Sequence, residues 1–249
     1  MRLHHNLKTV LSCARPIYFR SDFPGHELFG KGTCFIVKAS GAIWLATAAH
    51  CLANGMLDDL AVPRFLPGPG RAPIGDFFQP IALAGPVPED EDDTAGFDVV
   101  MIRTNEIDHP DALDLEDEAF LAPLEHARRG DPVRITGFPG SLANGIDRRE
   151  IAVQAFHTDG QYGSPTSSKH LHQFTIDLVG KVTDLDGMSG GPLFYVRAGR
   201  YFFAGVVVRG SAESKNAHFV DGRWLPVLAE RLTDEMRRSH GSLVEVGWP

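Results

Sequence analysis

Short apolar runs separated by Gly and Pro dominate the chain, and few segments repeat their apolar residues at helical spacing. Apolar runs of this length, bounded by turn residues, are typical of β-strands. Residues 32–37 and 42–47 flank Ser40-Gly41 and predict a β-hairpin. This spacing of runs predicts an all-β sandwich or a pair of β-barrels rather than alternating strands and helices. The other strand-like runs are 97–103, 132–137, 151–156, 174–178, 193–196 and 201–209.

One segment near the C-terminus has helical periodicity. Leu225, Leu228, Leu232 and Met236 recur three or four positions apart, which places them on one face of a helix over about 225–239. We expect this helix to pack on the β-structure.

Two stretches look like connections rather than core. Residues 55–95 contain seven prolines and end in the acidic run 89–93, which indicates a long surface excursion. Residues 109–130 are polar and charged, and a break there divides the chain into two halves of similar size.

The charge balance excludes some partners. The 249 residues include 24 Lys and Arg against 32 Asp and Glu, a formal net charge of −8. Broad nucleic-acid or anionic-membrane binding depends on clustered cationic surface, so neither is expected.

The compartment is predicted to be the cytoplasm. The apolar stretch near the N-terminus, residues 9–11, is shorter than the roughly 7–15 apolar residues of a secretory signal. No run approaches the roughly 20 apolar residues that span a bilayer. Three cysteines, Cys13, Cys34 and Cys51, are too few for a disulfide-stapled small domain.

Three short motifs carry the residues of acyl-transfer chemistry. His50 follows Thr-Ala-Ala at the end of an apolar run, Asp98 opens the run Val-Val-Met, and Ser189 lies in Gly-Met-Ser-Gly-Gly-Pro. Each motif alone has an ordinary structural explanation. Together they supply a serine nucleophile, an imidazole base that activates it, and an acid that orients the imidazole. The glycines allow consecutive backbone N–H groups to converge on a developing oxyanion.

With these motifs the chain resembles the chymotrypsin-like (trypsin-fold) serine peptidases, in their bacterial branch. The order His, Asp, Ser is that of the family, with separations of 48 and 91 residues. The resemblance implies two packed antiparallel six-stranded β-barrels with a C-terminal helix, and an active site in the cleft between them. It places an N-terminal extension that leads into the first strand over 1–27, the first barrel over 28–120, and the second barrel with the terminal helix over 121–249.

Carried over to this sequence, the resemblance makes His50 the general base and then acid, Asp98 the residue that orients it, and Ser189 the nucleophile. The backbone N–H groups of Gly187 and Ser189 would form the oxyanion hole. The implied activity is that of a serine endopeptidase working through an acyl-enzyme, with no cofactor and no metal. Its expected partners are a protein or peptide substrate and an activating or targeting protein.

Several positions depart from the animal members of the family. Met188 stands where they carry the Asp that receives a new N-terminus, so activation by zymogen cleavage is not expected. Thr183, Val207 and Gly210 fall at the substrate-binding positions, and Thr183 argues against selectivity for Lys or Arg. A small or medium apolar residue before the scissile bond is the resulting expectation, although Asp186 or its neighbour Asp184 could supply a charge.

The resemblance also bears on the cysteines. The usual disulfide partner of Cys51 would fall near Gly32, and Cys34 is two positions away. A bridge between Cys34 and Cys51 stays open, and three buried free thiols are the favoured interpretation.

Four questions remain open at this point. The same fold could serve as a binding or scaffold module without turnover, or as a peptidase inactive until a partner orders the loops 140–147 and 160–170. His157, His170 and His172 have some metal-ligand spacing, but a solvated loop is favoured. The acidic run 89–93 is either a solvated loop or an element that selects substrates by charge.

Overall fold

Strands account for about half of the residues that the computed structural model describes, which are 5–22, 28–53, 55–64, 70–73, 76–84, 97–139, 150–177, 186–211 and 213–238. The helices are α1 (Leu7–Ser12) and α2 (Trp224–Arg238). The strands are β1 (Ala14–Arg20), β2 (Leu28–Ala39), β3 (Ala42–Ala48), β4 (Leu60–Ala61), β5 (Gly70–Pro73), β6 (Pro80–Ala84), β7 (Val99–Thr104), β8 (Leu113–Asp114), β9 (Pro132–Gly137), β10 (Glu150–Val153), β11 (Phe156–Pro165), β12 (Leu171–Ile176), β13 (Pro192–Arg197), β14 (Arg200–Ser211) and β15 (Asn216–Asp221).

The predicted hairpin is confirmed as β2 and β3. Ala39 pairs with Ala42, so the connection is the two-residue turn Ser40-Gly41. Both turn residues have positive φ, 49° and 71°. A two-residue turn of this hand matches the twist of the flanking strands.

The second half of the chain forms a closed barrel. Six antiparallel strands close in the order β11-β12-β15-β14-β13-β9. Phe174, Leu193 and Phe219 are completely buried in its core. The all-β prediction is confirmed, and so is a six-stranded barrel over the second half.

The described strands of the first half form a curled sheet, for which no closed ring of paired strands is seen among the described residues. Its seven described strands run in the order β4-β1-β2-β3-β7-β6, with β8 added parallel to β2. The two edges meet only locally, where Phe78 N–H donates to Val62 O at 2.9 Å and Arg64 N–H donates to Asp76 O at 3.0 Å. Between these two bonds, Pro63 and Phe77 form an isolated antiparallel bridge.

The C-terminal helix is confirmed, one residue earlier at each end than the expected 225–239. Its buried face carries Leu225, Leu228, Ala229 and Leu232. This face contacts β2, β6 and β7, so the helix covers the first sheet although it follows the barrel in sequence. Among the described residues, neither helix is long and apolar enough to cross a membrane.

Several elements were not predicted. The lead-in 1–27 holds α1, capped where Asn6 Oδ1 accepts from Thr9 N–H at 2.9 Å. It also holds β1, which is an integral strand of the first sheet. The excursion 55–95 contains β4, β5 and β6, and the run 151–156 divides between β10 and the start of β11. The ribbon of β5 and β10 joins segments from the two halves.

Candidate active site

The strand register brings Asp98 to His50. Ala48, the last residue of β3, pairs with Val99, the first residue of β7. The chain on either side of this pair continues into the site: Asp98 precedes β7, and His50 lies in a 3₁₀ turn directly after β3. Ala49 N–H donates to Asp98 O at 3.1 Å, which holds the two segments together.

The Asp98 carboxylate binds His50 through both of its oxygens. One oxygen accepts from His50 N–H at 2.9 Å, and the other is hydrogen-bonded to the ring Nδ1. The side chains are 47% and 32% exposed, so the pair lies at an open surface. The hydrogen bond to Asp98 raises the pKa of His50 to about 10, and burial of the ring opposes this rise. An imidazole held in this way presents Nε2 as the free nitrogen.

The loop that carries Ser189 requires glycine. Gly187 and Gly190 have φ values of 88° and 84°. A Cβ on Gly190 would lie 1.9 Å from Thr33 O and 2.2 Å from Thr47 Oγ1. The loop therefore packs against β2 and β3 more closely than any side chain would permit.

Thr33 fixes this loop from the first sheet, and sequence reasoning missed it. Its N–H donates to Ser189 O at 3.0 Å, and its Oγ1 donates to Gly187 O at 2.6 Å. The same hydroxyl accepts from Phe138 N–H at 2.9 Å, and the residue is fully buried. A threonine on a predicted strand has no distinguishing signal, because its partners are 105 to 156 positions away in the sequence.

Two backbone N–H groups of the loop are available to a ligand. Gly190 N–H donates to Val207 O at 2.7 Å, and Gly191 N–H donates to Met188 O at 3.0 Å. Within the described part of the chain, the N–H groups of Gly187 and Ser189 donate to no protein acceptor. These are the two groups predicted to form the oxyanion hole.

A cavity of about 570 Å³ contains the candidate chemistry. His50, Gly187 and Ser189 all line it, and we call it the central cavity. Its other walls come from β1, β2, the segment after β9 and the segment after β10. The remaining described residues of its lining are Pro16, Ile17, Tyr18, Gly30, Lys31, Gly32, Phe138, Pro139, Gln154 and Asp186.

The Ser189 hydroxyl does not contact His50 directly. Its Oγ donates to Val208 O at 3.5 Å, the upper limit of a hydrogen bond. In the described structure no hydrogen bond joins this Oγ to the His50 ring. The site thus contains a formed His50–Asp98 pair, with the serine in the same cavity but bonded elsewhere.

Two of the predicted specificity residues, Val207 and Gly210, are not among the described residues that line the central cavity. Thr183 lies outside the described residues. Val207 is buried in the barrel core, and its N–H donates to Gly191 O at 2.9 Å. Gly210 is exposed on β14, opposite Ala217 of β15. The cavity wall that the sequence did not indicate is β1, through residues 16–18.

Met188 fills an apolar position beside the site. It is buried in the barrel core, and a Cβ on Gly137 would lie 2.8 Å from its Sδ. The side chain next to Ser189 is thus anchored by packing, where the animal peptidases in the resemblance use an ion pair.

All three cysteines are free and buried, as the favoured interpretation held. Cys51 is closest to the site, and its thiol donates to Ser189 O at 3.4 Å. Burial raises the pKa of Cys13 and of Cys34 far above the usual thiol range. Thiols in such surroundings are inert.

The three histidines considered as metal ligands have other partners. His157 Nδ1 is hydrogen-bonded to Thr136 Oγ1 at 3.0 Å, and His172 Nδ1 to Tyr162 Oη at 2.8 Å. Of the described residues, no group of three or more His, Cys, Asp or Glu is arranged to hold a metal ion. The acidic run 89–93 and the loop 140–147 lie outside the described residues, whereas 160–170 belongs mainly to the β11–β12 hairpin.

No protein-family model matches the chain, and no curated protein matches it either. Its function must therefore be argued from the site.

Proposed function

We propose that the protein is a serine endopeptidase that hydrolyses peptide bonds through an acyl-enzyme. The observation that carries the proposal is the hydrogen-bonded His50–Asp98 pair, which opens on the same cavity as Ser189. The resemblance to the trypsin-fold peptidases in motif order and spacing supports the same assignment.

Each residue has a step in this reaction. His50 Nε2 removes the proton of Ser189 Oγ as the oxygen attacks the substrate carbonyl, and Asp98 stabilises the imidazolium that forms. The N–H groups of Gly187 and Ser189 bind the oxyanion of the tetrahedral intermediate. His50 then donates its proton to the leaving amine, and water hydrolyses the acyl-enzyme by the same steps in reverse order.

One contact of the serine raises a second candidate, a peptidase that a partner or substrate activates. Ser189 Oγ is bonded to Val208 O and not to His50. Hydrogen bonds of a catalytic dyad are often long before substrate binds, so this contact is compatible with both candidates. A scaffold module without turnover is the remaining alternative.

Labelling with a fluorophosphonate probe tests the proposal. We expect the purified protein to be labelled at Ser189, and labelling to disappear in Ser189→Ala and to fall sharply in His50→Gln. Ser214→Ala, at an exposed serine in the turn between β14 and β15, is the matched control and should be labelled normally. Labelling only after a partner or peptide is added would support the activated peptidase, and no labelling under any condition would leave the scaffold.

A further inference from the structure

The β1–β2 pair contains a β-bulge at Lys31. Ile17 pairs with Gly32 and Tyr18 pairs with Gly30, so Lys31 has no partner on β1. A bulge interrupts the alternation of side chains and redirects one of them, and bulges are frequent beside active sites. Lys31 is exposed and lines the central cavity.

The position of Lys31 relative to the nucleophile is fixed by the next two residues. Thr33 N–H donates to Ser189 O at 3.0 Å. A Cβ on Gly32 would lie 2.6 Å from Cys51 Sγ and 3.2 Å from Ser189 O, so a side chain here would meet the Cys51 thiol directly. Gly30 and Gly32 carry no side chain, so Lys31 is the side chain of this part of β2 that lies nearest in sequence to Thr33 and its contact with the serine loop.

The charge of Lys31 is unusual in its surroundings. It is the one Lys or Arg among the described residues that line the central cavity, where most of the others are apolar or glycine. In the described part of the chain no carboxylate forms an ion pair with it. The lining also includes the Asp186 carboxylate and the His50 imidazole, so the Lys31 ammonium shares the cavity with one acid and one base.

We propose that Lys31 is a specificity-determining residue, whose ammonium binds a carboxylate of a peptide substrate close to the scissile bond. This role rests on the proposed peptidase function. A lysine ammonium is a point charge with three rotatable donors on a flexible stem. It fits the side chain of Asp or Glu and the free C-terminal carboxylate of a peptide equally well, so the shared chemistry is a single carboxylate.

Peptide binding to the Ser189→Ala protein tests the role without requiring turnover. One peptide series, amidated at its C-terminus, places Glu or Gln at each position in turn, and a further arm gives the all-Gln peptide a free C-terminal carboxylate. We expect the best Glu peptide, or the free-acid peptide, to bind about threefold to fivefold more tightly than its neutral counterpart, as for an exposed ion pair. The arm that shows the gain identifies the source of the carboxylate.

Variants of Lys31 assign the preference to this residue. The gain should be lost in Lys31→Met, reversed into a preference for the neutral Gln peptide in Lys31→Glu, and weakened as salt rises from about 0.05 to 0.5 M. Lys38→Met removes a lysine of the same strand that lies outside the central cavity, and should keep the preference.

Equal binding of charged and neutral peptides, a preference that survives Lys31→Met, or no binding by any peptide of the series would overturn the role. Fluorophosphonate labelling separates this outcome from the function itself. Labelling of Ser189 without carboxylate preference refutes only the role of Lys31. A preference that depends on Lys31 in a protein that is never labelled refutes the peptidase and leaves a carboxylate-binding scaffold.

Discussion

Replacing Asp98 with Asn should lower the pKa of the His50 imidazole. In the parental protein this pKa is raised from 6.5 to about 10, first by the hydrogen bond to the Asp98 carboxylate and then by the Cys51 side chain. The amide of Asn carries no charge and cannot stabilise the imidazolium in the same way. Removing an opposite charge at this separation changes a pKa by about 1–3 units, so we expect a decrease of that size.

The change in pKa also predicts how stability depends on pH. The folded-state pKa of His50 is raised, so its stabilising contribution is complete below pH 6.5 and is lost as the pH rises through about 10. The difference in unfolding free energy between the parental and Asp98→Asn proteins should therefore be largest below pH 6.5 and decrease above it. The effect will be modest because both side chains are partly exposed to solvent.

The measurement is an NMR titration of the His50 ring in a Ser189→Ala background, which prevents self-cleavage. The chain has eleven histidines, and loss of one resonance in His50→Gln assigns the signal. Asp58→Asn, at an exposed acid in the turn before β4, should leave the titration unchanged. A parental pKa near 6.5, or a raised pKa that persists in Asp98→Asn, would refute the role assigned to this carboxylate.

Three further substitutions test the packing around the site. Gly190→Ala should destabilise the protein by about 2–3 kcal/mol in urea unfolding and abolish probe labelling, because φ is 84° and a Cβ would meet a β2 carbonyl at 1.9 Å; unchanged stability would contradict the loop geometry. Gly32→Cys should form a disulfide with Cys51 on oxidation, because its Cβ would lie 3.3 Å from the Cβ of Cys51. The disulfide should raise the unfolding free energy by about 3 kcal/mol. A thiol titration that does not show the loss of two thiols would exclude it. Arg15→Met should lower the unfolding free energy by about 3–5 kcal/mol, because Asp111, which pairs with Arg15 at 2.7 Å, is left as an uncompensated buried charge. Combining Arg15→Met with Asp111→Leu should recover much of this loss. Equal stability of the single and double variants would argue against the buried pair.

The sequence predicted best where local pattern decides the structure. The β2–β3 hairpin follows from two apolar runs and the turn Ser40-Gly41, and α2 from four apolar residues at helical spacing. The need for glycine around Ser189 is also a local property, because Gly187 and Gly190 adopt positive φ. Sequence pattern is therefore a sufficient guide to the conformation of these segments.

The features that sequence pattern does not predict depend on contacts between distant segments. Arg15 and Pro16 interrupt the apolar run of β1, so the pattern of apolar residues does not predict a strand there. Arg15 is nevertheless fully buried, because it pairs with Asp111, 96 positions away. The same reason applies to Lys31, since a bulge is defined by the register against β1 and not by the residues on either side.

The closed second barrel and the open first sheet differ for a related reason. In the second half the six strands are long enough for each to pair on both sides. In the first half β4 has two residues, and the described contact beyond it is the bridge between Pro63 and Phe77. The order of the motifs around His50, Asp98 and Ser189 carries no information about strand length, so it could not predict this difference between the two halves.

Ser189 could align with His50 either by a change in the backbone of the serine loop or by rotation of the Ser189 side chain, and the contacts of Thr33 bear on this choice. Thr33 holds the backbone of the serine loop at Ser189 O and Gly187 O, so an activator that reshaped this loop would have to break two buried hydrogen bonds. Rotation of the serine side chain alone breaks only its 3.5 Å contact with Val208 O, which costs little. Alignment by rotation is therefore the less costly route. If the protein is the proposed peptidase, we therefore expect the rate of probe labelling to depend little on any added partner protein.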